Sequence, residues 1–196
     1  MDIEIQKLRP DLLEDYIYFF ENTAHKDIEH DVSCYCVSWC SDDQEYADFS
    51  SAEIRKSSAS QYVKNGMIQG YLAYYNGNVV GWCNANNRAD CTKCYSWRHA
   101  LASVNTESDS KNKRIKSVFC FTVNPDMRKN NIAAQLLEYV CEDAAKEGFD
   151  YVEGYPNKNF ISIHDDFMGP VGLYLKCGFT IYSEIEDRVI MRKYLK

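Results

Sequence analysis

The stretch VFCFTVNPDMRKNNIAAQLL, residues 118–137, passes from an apolar run through a polar bend into an amphipathic run. Residues 118–123 are apolar throughout, the pattern of a strand covered on both faces. Beyond the bend, Ile132, Ala133, Leu136, Leu137, Val140, Ala144 and Ala145 return at three- and four-residue steps. Glu138, Glu142, Asp143, Lys146 and Glu147 lie opposite and Gly148 follows as a stop, which predicts a helix. Residues 149–155 read as the next strand. Strand, bend, helix and strand make a crossover unit whose bend sits at the carboxyl end of the first strand, where open sheets receive ligands.

The bend itself contains two cations, Arg128 and Lys129, and no glycine. A helix starting near Asn131 opens with backbone N–H groups that have no intrahelical acceptor, and its dipole adds partial positive charge. With the two cations, that makes a trap for a phosphate group. On spacing alone an equal reading is that Arg128 and Lys129 are solvated loop charges and Asn130 an ordinary N-cap.

Outward from this unit, Ile3 to Leu8 alternates as an opening strand, and residues 11–20 behind Pro10 have helical spacing. Residues 22–50 carry His25, His30, Cys34, Cys36 and Cys40 without a sustained period and read as mostly loop or short helix. Residues 51–64 predict a second helix, ended by Asn65 and Gly66. Residues 71–75 and 79–83 flank Asn76-Gly77, a strong hairpin signal. Residues 86–113 are polar and long, and read as a flap or loop. A short helix over 170–177, stopped by Gly178, and strands over 179–182 and 188–195 close the chain.

The 196 residues suit one domain, 1–196. A formal net charge of −7 argues against a surface for nucleic acid or anionic lipid, so an anionic ligand needs a local trap. No stretch approaches the ~18 apolar residues of a membrane span and the first residues do not resemble a leader, which predicts a cytoplasmic protein. Nine cysteines in such a chain read as reduced thiols. Cys34, Cys36, Cys40, Cys91 and Cys94 leave a thiolate zinc site or a redox role as rivals, although their spacing is unlike the usual zinc knuckles; no metal is assigned.

The run Arg128 to Ala133, followed by Leu136-Leu137, resembles the acetyl-CoA signature of the GCN5-related N-acetyltransferases (GNAT), Arg/Gln-x-x-Gly-x-Gly/Ala. Downstream, GLYLKCGF (residues 172–179) resembles the family's Tyr-x-Lys-x-Gly-Phe block, and the ending resembles its last strand. The resemblance implies an α/β (α+β) fold with a mixed, mostly antiparallel central sheet, one splayed parallel pair and helices on both faces. It implies an acetyl-CoA-dependent N-acetyltransferase acting by direct attack of a primary amine of a small molecule or peptide.

Carried over residue by residue, Arg128, Lys129, Asn130, Asn131, Ile132 and Ala133 hold the pyrophosphate of CoA. Phe121, Thr122 and Val123 pair with its pantetheine arm, and Tyr174 is the acid for the departing thiolate. Asn131 stands where the family has glycine; asparagine is the residue next most tolerant of the left-handed conformation. Glu153 is the candidate base, with His164, Asp165 and Asp166 as further candidates. Cys36, Trp39, Tyr46, Trp82, Asn84, Asn86, Tyr95 and Trp97 are candidates for the acceptor pocket. A homodimer is left open. The alternative is a non-catalytic CoA-binding or cysteine-based module on the same scaffold.

Overall fold

The computed structural model describes residues 1–28, 33–40, 49–104 and 112–195. Strand β1 (Glu4–Lys7) leads into α1 (Leu13–Asn22) and α2 (Ala52–Lys64), then β2 (Gly70–Tyr75) and β3 (Asn78–Asn87). Two short helices, α3 (Arg88–Cys91) and α4 (Tyr95–Ala100), precede the crossover unit β4 (Ile115–Val123), α5 (Ile132–Lys146) and β5 (Tyr151–Gly154). Helix α6 (Val171–Lys176) and the antiparallel strands β6 (Thr180–Ile185) and β7 (Arg188–Tyr194) follow. The seven strands form one sheet in the order β1-β2-β3-β4-β5-β7-β6, parallel between β4 and β5 and antiparallel elsewhere. This is the mixed α/β architecture expected from the sequence.

Local rules place most of these elements. Asn76 and Gly77 both have positive φ, 49° and 76°, as a two-residue hairpin turn between right-twisted strands requires. Ser51 caps α2 by accepting the Ile54 N–H at 3.2 Å. Successive side chains on β2 and β3 alternate between two cores. Leu72, Tyr74 and Trp82 pack with α1, α2 and α4, whereas Tyr71, Ala73 and Cys83 pack with α5 and α6. Helices therefore cover both faces.

The region 86–113, read as a flap or loop, differs in part: β3 runs on to Asn87 and α3 and α4 follow. Cys91, Cys94, Trp97 and Leu101 are buried in the core shared with α1. Their three- and four-residue spacing was a helical signal hidden by polar composition. Residues 105–111 of this stretch lie outside the described residues.

The feature that positions the site is where β4 and β5 part. Against β3, Asn84 faces Cys120 and Ala85 faces Val118, so Phe119 is an extra residue, a β-bulge that bends β4. Pairing with β5 ends at Val118 opposite Gly154, one residue before that bulge. From there to Val123, β4 presents an edge that β5 does not cover. Gly154 is required at the parting, because a Cβ there would lie 2.2 Å from the Tyr174 ring. Gly154→Ala should therefore lower stability by about 1–3 kcal/mol through overpacking. Thermal unfolding would check this; an unchanged Tm would mean that the Tyr174 ring moves freely.

Candidate active site

The bend between β4 and α5 is built by local hydrogen bonds and two left-handed residues. Asn124 Oδ1 accepts the Asp126 N–H at 3.1 Å and starts a 3-10 turn over Pro125–Met127. Lys129 and Asn131 then adopt φ of 66° and 65°. Asn131 thus occupies the conformation that glycine would favour, with asparagine's usual tolerance of it. No side chain caps α5. The first-turn amides of Ile132, Ala133 and Ala134 consequently have no acceptor from the helix itself.

These residues border a cavity of about 750 Å³. Every residue expected at the cofactor lines it except Asn130. The Asn130 amide instead folds back on its own turn, donating to the carbonyls of Met127 at 3.1 Å and Arg128 at 3.3 Å. Arg128 pairs with Asp27, and Lys176 Nζ donates to Asn131 Oδ1 beside the helix start. Partial burial favours protonation of Asp27, but the Arg128 hydrogen bond and charge outweigh it and hold the carboxyl below its ordinary range. Lys129 and Lys176 also line the cavity, so the α5 end of it is cationic in a chain of net negative charge.

Asn131→Gly is expected to leave affinity for acetyl-CoA equal or higher, since glycine keeps the left-handed conformation already present and removes a side chain from beside the α5 amides. Calorimetric titration reads this directly. A large loss would show that the Lys176 contact, rather than backbone conformation, is what the position supplies.

The β4 edge carries a second set of donors. Asn124 N–H bonds Val80 O at 2.9 Å, so by antiparallel alternation the amides of Phe121 and Val123 point away from β3, toward the parting. Phe121 N–H donates to Phe167 O at 2.7 Å. The Tyr174 hydroxyl donates to the next carbonyl, Met168 O, at 2.6 Å. Two donors from different elements are thus held on consecutive carbonyls of one segment, which turns into α6 through Gly169 at φ 81°. Tyr174 is fully buried behind Phe121, with ring centroids 6.3 Å apart, and is not among the cavity-lining residues. Burial, reinforced by the neighbouring thiols, raises its pKa well above the ordinary phenol value, so it remains a protonated donor.

Glu153, expected as a base, lies elsewhere. Its carboxylate is fully buried in the sheet and accepts from Arg192 Nε at 2.8 Å, Arg88 Nη1 at 3.3 Å and the Tyr155 hydroxyl at 3.0 Å. It does not line the cavity. Asp166 does, but both its oxygens are taken, one by Asn157 Nδ2 and one by the Ile161 N–H, each at 2.6 Å. Asp165 accepts from Ser162 Oγ at 2.6 Å, and His164 lines the cavity with Nε2 3.9 Å from Asp27.

On the wall away from α5, Cys36, Trp39 and Tyr95 line the cavity as expected for the acceptor side. Trp82, Asn84, Asn86 and Trp97 are buried and do not, while Tyr46 lies outside the described residues. Sequence reasoning missed His25, Cys34, Cys120, Phe160 and Ile163 on the lining. Only the apolar residues of the run 160–163 offered a signal.

The cysteine clusters are buried thiols except for the exposed Cys34. All nine cysteines are free. Cys36 Sγ accepts from Trp82 Nε1 at 3.3 Å, and Cys40 Sγ from the amides of Asn84 and Asn86 at 3.7 and 3.6 Å. Burial pushes the Cys40 pKa up to about 12 against those donors. Among the described residues no group of three or more His, Cys, Asp or Glu is arranged to hold a metal ion.

A family model described as the acetyltransferase (GNAT) family matches residues 8–179. Three solved structures share the fold at low identity. The Drosophila melanogaster polyamine N-acetyltransferase that forms N-acetylagmatine is 15% identical, with a TM-score of 0.61 over 99% of this chain and 100% of that one. A mosquito arylalkylamine N-acetyltransferase, like 5b, is 16% identical at 0.60, again over 99% and 100%. The paia N-acetyltransferase of Thermoplasma acidophilum, in complex with coenzyme A, is 17% identical at 0.52 over 99% of each chain. No curated protein sequence matches.

Proposed function

The chain belongs to the GNAT acetyltransferase family, an acyltransferase with acetyl-CoA as its donor, and on that premise we propose that it acetylates a primary amine by direct attack on the thioester. The observation that carries this is two donor sets at one cavity with a third buried directly behind its wall. These are the uncapped start of α5, the amides of the β4 edge and the protonated Tyr174 behind them.

The residues fit the donor. The first-turn amides of α5, with Lys129 and Lys176 beside them, suit a diphosphate, and the cavity continues along Val123, Thr122 and Phe121 for an extended arm. In this reading a β4 amide stabilises the oxyanion, the role of preorganised backbone donors in acyl transfer. Phe121 N–H would exchange Phe167 O for the thioester oxygen, and the Tyr174 hydroxyl would exchange Met168 O for the leaving sulfur. Both donors are held in place by these two carbonyls. The amine must arrive neutral; with Glu153 committed to two arginines, a residue on the acceptor wall or ordered water would take its proton.

An amine acceptor is also consistent with the Drosophila and mosquito neighbours, which differ in the amines they are named for. The test is release of CoA thiol from acetyl-CoA with a panel of primary amines, with mass detection of the N-acetyl product. Amine-dependent release confirms transfer to nitrogen. Thiol release indifferent to amine, or acetylation of hydroxyls only, would overturn it.

A further inference from the structure

The same cavity bears on what sort of amine is accepted, an inference that rests on the function just proposed. Three side chains with much exposed apolar surface, Tyr95, Phe160 and Ile163, stand at this one cavity. Tyr95 stacks on His99 with centroids 3.9 Å apart, which fixes its ring. Deeper, Trp39 lies flat on Phe119 at 4.7 Å and 8° and turns its remaining surface to the lining. Exposed apolar groups gathered around a cavity mark a surface made to be covered.

The sulfur atoms of this wall add to its apolar character. Cys34, Cys36 and Cys120 line it side by side. For Cys36, hydrogen bonding to Cys120 and burial raise the thiol pKa well above its ordinary value; the thiol of Cys34, an exposed residue, is raised chiefly by hydrogen bonding to Cys36. Neutral thiols behave as small, polarisable hydrophobes.

Several polar groups of the cavity are spent, although the buried His25 Nε2 on its lining has no hydrogen-bond partner among the described residues. Ser38 and Ser96 bond each other at 2.6 Å, and Asp166 has both oxygens engaged. Among the described residues, no other carboxylate lines the cavity. Among the described residues a second ammonium carried into it would find no further carboxylate. A ring or branched chain would instead gain from every apolar group it covers.

We propose that the acceptor is a monoamine with an apolar, preferably aromatic, body, held against the apolar side chains of this cavity, among them Trp39, Tyr95, Phe160 and Ile163. The test compares kcat/KM for 2-phenylethylamine, ethylamine and 1,3-diaminopropane at saturating acetyl-CoA. Each further apolar group in a fitting pocket is worth roughly tenfold or more. 2-Phenylethylamine should therefore exceed both small amines by at least about 100-fold. Phe160 is exposed, so Phe160→Ala should fold normally and raise KM for 2-phenylethylamine about tenfold, with a smaller effect on ethylamine.

Turnover in which 1,3-diaminopropane equals or exceeds 2-phenylethylamine would overturn the apolar class while leaving amine acetylation intact. No turnover of any amine would overturn both. Equal KM increases for all three amines in Phe160→Ala would remove the aromatic wall from recognition.

Discussion

Tyr174→Phe should lower kcat for amine acetylation by about 10²-fold or more while leaving the affinity for acetyl-CoA within a few-fold of the parent. The substitution removes one oxygen and keeps the ring that fills the space over Gly154, so the parting of β4 and β5 is preserved. What disappears is the hydroxyl that is bonded to Met168 O and stands ready as a proton donor. Losing that bond leaves a buried carbonyl without its partner and costs about 1–3 kcal/mol of stability, which thermal unfolding measures separately. The decisive reading is the split between kcat and binding. A phenylalanine variant within threefold of the parent kcat would take Tyr174 out of the chemistry and make it a packing residue.

A second large effect is expected at Glu153, in stability rather than in catalysis. Its carboxylate is fully buried, with Arg192 and Arg88 against it, and Arg192 is itself 2% exposed. Glu153→Gln keeps the shape but leaves buried guanidinium charge without its counterion, a change that costs about 3–5 kcal/mol. For a chain of this length that corresponds to a fall in Tm of roughly 6–20 °C. The network ties β5 to β7 and, through Tyr155 and Ser117, to β4 just below the parting. It therefore anchors the two strands whose separation makes the cavity. If Glu153→Gln kept its Tm and lost activity, the carboxylate would be acting as the base, and the assignment made here from burial would fail.

The contrast between these residues shows what was legible in the sequence. Tyr174 could be singled out because it sits in a short helix at a recognisable distance from Lys176, Gly178 and Phe179. Its hydroxyl's partner could not, because Met168 reaches it through the shape of the segment before Gly169. Glu153 was read as a candidate base; only the pairing of β5 with β7 and the fold of α3 against β4 bring Arg192 and Arg88 to it. The acceptor wall was half legible. Cys36, Trp39 and Tyr95 were found from their neighbourhood in the chain, whereas Trp82, Asn84, Asn86 and Trp97 proved to be buried support for it. The amides of Asn84 and Asn86 hold the Cys40 sulfur, a role with no sequence signal.

By itself, the amino-acid sequence determined the strand, bend and helix that begin at Val118 and the hairpin at Asn76-Gly77, and the family resemblance pointed to a left-handed residue at Asn131. All of these depend on interactions within a few residues, where periodicity, turn chemistry and backbone sterics suffice. Tertiary structure alone decided where the donors point and what they hold. Phe121 meets Phe167 across 46 positions of chain, and Glu153 meets Arg192 across 39. Such contacts are chosen by how the bulge at Phe119 opens the sheet and by which side chains the packing then excludes from water, and neither is a property of any local stretch.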